Sequence, residues 1–138
     1  MNYSVVNLTQ VADCDMLLLW AAKEKADLNF KKLSEERLTA RYAETSLGID
    51  AELQGVIAEL AATDTIISVL PDGDAKNDAI NKRIRLEYKK FLLETRKASY
   101  GTVALLEKEM DLGRVEKELL EVDAFVAAIE ARKVVLQS

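Results

Sequence analysis

From Leu18 onward, apolar side chains return at alternating steps of three and four residues, so a heptad can be written through the first half of the chain. One inward row falls at 18, 25, 32, 39, 46, 53, 60 and 67, the other at 21, 28, 35, 42, 49, 56, 63 and 70. Leu18, Ala21, Leu28, Tyr42, Ile49, Leu53, Val56, Leu60, Ile67 and Leu70 hold ten of these sixteen places. A repeat of about 3.5 residues keeps one narrow stripe facing one partner, the signature of a coiled-coil helix. After Ile49 only Thr63 interrupts the stripe, whereas between Lys25 and Ser46 it is thin. There a second set, Leu19, Ala22, Ala26, Phe30, Leu33, Ala40 and Leu47, runs along a neighbouring face. The helix is apolar over a wider arc in its first half, which implies more than one neighbour.

Pro71-Asp72-Gly73-Asp74 stops this helix almost at the midpoint of the chain. Proline inside a helix loses a backbone hydrogen bond and clashes with the preceding turn, at a cost of about 3 kcal/mol, and glycine supplies backbone angles that a reversal needs. Thr9, Asp13 and Asp15 can each cap the first helix; the pattern favours an arm from Asp13 to Leu70 with room for one loose turn before it, and residues 1–8 as an extended lead-in. A second arm, capped by Asp74, runs from Ala75 to about Val135. Ile80, Ile84, Phe91, Ala98, Leu105, Leu112, Leu119 and Val126 mark its seam, and Leu106, Met110, Leu120, Ala124, Ala128 and Val135 mark a second stripe near the terminus. Gly48 and Gly101 each cost about 1 kcal/mol inside a helix and fall at nearly the same height once the arms are folded together. The heptad phase survives Gly48, which favours arms that run through with a kink; loops at both glycines would instead give a monomeric up-down bundle.

Charge selects the pairing. Residues 42–74 carry seven acidic side chains and no Lys or Arg, while residues 75–97 carry eight basic and three acidic ones. In an antiparallel hairpin these strips face each other, bringing Asp64 to Lys82 or Arg83, and Asp50 and Glu52 to Arg96 and Lys97. Residues 21–43, with six basic and four acidic groups, likewise oppose residues 105–123, with seven acidic and three basic. Exposed pairs contribute only about 0–1 kcal/mol each, so they set register while the apolar seam supplies stability. The apolar pairs expected at that register are Leu53 with Leu93, Val56 with Phe91, and Ile67 with Ile80.

Composition agrees with an all-α protein: 49% apolar, 31% charged, 6% aromatic and a single proline in 138 residues, enough for one helical domain over 1–138. The net charge of −5 disfavours nonspecific binding to nucleic acid or anionic membrane. The longest apolar run, Met16–Ala22, is too short to span a bilayer, and the start of the chain lacks the basic residues of a secretory signal. With one cysteine, Cys14, read as a core residue, a cytoplasmic location is expected.

Candidate chemistry is sparse. The absence of histidine removes the commonest general base and metal ligand and every Ser/His or Cys/His arrangement. Asp72, Asp74 and Asp78 lack the EF-hand spacing and read as turn and capping residues, as do Asp13 and Asp15. Nothing calls for a cofactor or a metal. The basic strip 82–97, interleaved with Tyr88 and Phe91, resembles a nucleic-acid surface in composition but faces the acidic strip. Trp20 sits in the densest apolar cluster and suits an interface anchor.

The expected architecture is therefore a long antiparallel helical hairpin completed to a four-helix bundle by dimerisation. Leu19, Trp20, Phe30 and Leu33 on one arm, and Leu106, Met110, Leu120 and Phe125 on the other, form the candidate interface. The expected function is that of a non-enzymatic structural or adaptor protein acting through self-association or a protein partner. The alternatives are a nucleic-acid binder using residues 82–97 and a carboxylate-based, metal-dependent enzyme.

Overall fold

The computed structural model describes residues 1–138 and contains only helices: a 3-10 turn at Val5–Asn7, then α1 (Val11–Val69), α2 (Asp74–Tyr100) and α3 (Thr102–Gln137). The chain is an all-α helical hairpin that reverses at residues 70–73. Gly73 makes the reversal with φ 153° and ψ −171°, a region closed to side chains with a Cβ. Gly73 also occupies the N-cap of α2, so Asp74 is the first helical residue rather than the cap. Its carboxylate there opposes the positive end of the helix dipole. Likewise α1 begins two residues before Asp13, which lies in the first turn, and the lead-in holds a 3-10 turn instead of being wholly extended.

The two glycines differ. α1 passes through Gly48 without a break, and a Cβ built there meets nothing within 4 Å. At Gly101 the second arm does break: α2 ends, the Gly101 amide donates to the Lys97 carbonyl at 2.7 Å, and α3 starts. A Cβ at this buried position would lie 2.3 Å from the Lys97 carbonyl oxygen. The first arm thus runs on as one continuous helix and the second as a bent one, the bend falling at Gly101, and the loop expected near Gly48 in the alternative bundle is absent.

The chain divides into two compact units. The first comprises Met1–Leu38 and Glu109–Ser138, the start of α1 and most of α3. Cys14 and Ala21, one heptad apart, are fully buried on α1, and Val115 and Ile129 on α3. Leu112, Leu119 and Val126 are half-buried, as their expected seam requires, and Val115, Val122 and Ile129 form the second inward row of that seam. Lys25 pairs with Asp123 at 2.6 Å and Lys133 with Asp15 at 2.5 Å, fixing the antiparallel register.

The second unit is Thr39–Lys108. On α1 its buried residues are Ser46, Ile49, Leu53, Val56 and Thr63, all on the two inward rows of the heptad. Thr63 satisfies its hydroxyl on the Glu59 carbonyl at 2.8 Å, which makes a polar residue tolerable in the seam. Leu53, Val56 and Leu93 form the core, with Leu60 and Leu86 against it. Arg83 meets Asp64 at 3.0 Å and Lys97 meets Asp50 at 3.2 Å, as the charge strips require.

The α2 seam, however, is rotated from the expected one. Leu86 and Leu93 face inward, while Ile80, Ile84, Phe91 and Ala98 are exposed, so Leu93 rather than Phe91 shares the core with Val56. Leu93 and the buried Gly101 stand eight residues apart where a heptad would have seven. One extra residue turns a helix by about 100°, and the break at Gly101 absorbs that step. A heptad written backward from Leu105 without the skip therefore selects the wrong row of α2.

Candidate interaction surface

In the first unit, the seam uses one side of α1 and the apolar residues beside it remain uncovered. Leu19, Trp20, Phe30 and Leu33 are all exposed, from 46% at Leu33 to 73% at Phe30. On α3, Met110 and Leu120 are exposed in the same way. Leu106 is exposed too but belongs to the second unit. Phe125 is half-buried rather than exposed, because a partner that the periodicity did not reveal lies against it: Tyr3. The Tyr3 and Phe125 rings meet edge-on with centroids 5.1 Å apart, and Trp20 meets Phe125 in the same manner at 5.8 Å.

The N-terminal segment is held to α3 by two further anchors. Arg132 donates to the carbonyls of Leu8, at 2.8 and 3.0 Å, and of Val6, at 3.2 Å. The Tyr3 hydroxyl donates to a Glu121 carboxylate oxygen. That hydrogen bond, with the negative charge behind it, raises the Tyr3 phenol above its ordinary value, and the bond to Asp15 raises the Lys133 ammonium. No sequence period could single out Tyr3 and Arg132, since each contact joins residues more than a hundred positions apart.

Trp20, Tyr3 and Phe125, with Leu28 and Val122, line an open groove of about 330 Å³ whose rim carries Glu24, Glu118 and Glu121. In the second unit, Tyr42 packs on Tyr100 at 5.7 Å, with the Lys108 ammonium 5.8 Å from the Tyr42 ring. The basic strip is half engaged: Arg83, Lys90 and Lys97 sit in ion pairs, while Lys82, Arg85, Lys89 and Arg96 take part in none. Tyr88 and Phe91 are exposed beside them. Asp72 pairs with Lys76 at 3.3 Å, and no group of three or more acidic or cysteine side chains is placed to hold a metal ion. No helix is long and apolar enough to cross a membrane. No protein family, curated protein or solved structure matches the chain.

Proposed function

We propose that this is a non-enzymatic structural or adaptor protein that works by helix-mediated association, in the first place with a second copy of itself. The carrying observation is the row of large apolar side chains Leu19, Phe30 and Leu33, with Trp20 half covered by Phe125, exposed on a helix whose opposite side is already packed. Contiguous apolar surface of more than a few hundred Å² is rare on a soluble monomer and marks an association site. A homodimer is the commonest closed assembly and brings four helices of the terminal halves together. Light scattering at micromolar concentration tests this: the wild type is expected to be a dimer, and Trp20→Glu combined with Phe30→Glu a folded monomer. A monomeric wild type would sink the reading.

Exposure of Tyr88 and Phe91 among four cations free of ion pairs favours a second reading, nucleic-acid binding by α2. Binding of an RNA or DNA pool that persists at about 200 mM salt and is lost on Arg85→Glu with Lys89→Glu would establish it.

A further inference from the structure

Opposite the packed seam of α1, a second row follows the same alternation of three and four: Asp13, Met16, Trp20, Lys23, Asp27, Phe30, Ser34 and Arg37. Every one of these residues is exposed, and all lie in the first unit. The row sits about 160° around the helix from the seam. Its order is self-complementary about position 25. Lys23 and Asp27 are each two residues from that centre, Trp20 and Phe30 each five, Met16 and Ser34 each nine, and Asp13 and Arg37 each twelve. Reversing the helix therefore puts every acid level with a base, each aromatic level with the other, and the long Met16 level with the small Ser34.

Four other charges of this stretch are engaged elsewhere. Asp15, Lys25, Lys32 and Glu36 are used within the chain, on Lys133, Asp123 and each other. Asp13, Lys23, Asp27 and Arg37 are in no intrachain ion pair, nor are Glu24, Lys31 and Glu35, which lie off the row. Beside the row run Ala12, Leu19, Ala26 and Leu33, also exposed, with the small Ala26 next to the centre where two helices approach most closely.

We infer that two copies dimerise through an antiparallel α1–α1 contact whose two-fold axis crosses the outer face level with residue 25, between Lys23 and Asp27. This rests on the self-association reading and specifies its face. The layers are Asp13 on the partner copy's Arg37, Trp20 on its Phe30 and Lys23 on its Asp27, each repeated by symmetry. Such layers are the knobs-into-holes registers of an antiparallel coiled coil, and alternating charge along them fixes both orientation and register. The contact spans about 36 Å of helix. Met110 and Leu120 on α3 take no part in it.

The test uses two full-length variants. Lys23→Glu with Arg37→Glu makes all four charged positions acidic; Asp13→Lys with Asp27→Lys makes all four basic. Each alone is expected to dimerise at least tenfold more weakly than wild type, with helicity by circular dichroism unchanged. Mixed at equal concentration, they are expected to form a one-to-one heterodimer by light scattering. Homodimers of either variant as tight as wild type, or a mixture that stays monomeric, would overturn the contact while leaving self-association by another face in place. A monomeric wild type would overturn both. Oxidative cross-linking covers the case in which a charge variant fails to fold: Ala26→Cys, beside the axis, is expected to yield covalent dimer, and Ser34→Cys alone none. The opposite cross-linking result rejects the register, and loss of the dimer on Leu120→Glu rejects the face.

Discussion

At the scale of single residues, the long-range anchors of the N-terminal segment carry the clearest pH signature. Tyr3 and Lys133 both have raised pKa values, from partners Glu121 and Asp15. A group held above its ordinary value contributes stability that is fully present below that value and is lost as pH climbs through the raised one. The expected loss therefore falls on the alkaline side, beyond the ordinary values of 10.0 for Tyr3 and 10.5 for Lys133, and neither group contributes a slope near neutrality. Urea midpoints between pH 7 and 11 are expected to fall only at the alkaline end, and Tyr3→Phe with Lys133→Met to flatten that fall. Glu35 alone has a buried side-chain polar atom without a partner: it occupies an inward heptad position, and its Oε2 makes no hydrogen bond.

At the scale of elements, the decisive event is the one-residue skip at Gly101. It puts Leu93 in the core, 6% exposed, and Phe91 in water. Leu93→Ala is accordingly expected to cost about 2 kcal/mol, the low end for a buried leucine because a two-helix core can relax. Phe91→Ala is expected to cost less than about 0.5 kcal/mol, as for other surface changes. Equal losses in chemical denaturation would mean that α2 presents the other row. The glycines predict opposite signs: Gly48→Ala, with open space at its Cβ, should stabilise by up to about 1 kcal/mol. Gly101→Ala must move the Lys97 carbonyl, so its melting temperature should drop. A gain at Gly101 would show that α2 and α3 can run on as one helix.

At the scale of the whole molecule, pairing is set by charge and held by apolar burial. Four ion pairs join the arms, and three of them, Lys25 with Asp123, Arg83 with Asp64 and Lys97 with Asp50, have side chains roughly half exposed, while in Lys133 with Asp15 the ammonium side is more covered. Solvent screening leaves each about 0–1 kcal/mol, so raising NaCl from 50 mM to 1 M is expected to lower stability by no more than about 2 kcal/mol. A larger loss in urea titrations would make charge a principal stabiliser rather than a register device. The sequence by itself determined the helical class, the reversal at Pro71–Asp74, the inward rows of α1 and the partner strip opposite each part of it. Those features follow from hydrogen bonds within a few residues, from breakers and from the period of apolar positions, all of which are local. Only the tertiary structure decided which row of α2 turns inward, because Ala79, Leu86 and Leu93 compete with Ile80, Ile84 and Phe91, and the packed partner breaks the tie through a skip that no local period contains. It likewise decided that Tyr3 covers Phe125, since that contact joins residues far apart in the chain and exists only once α1 and α3 lie side by side.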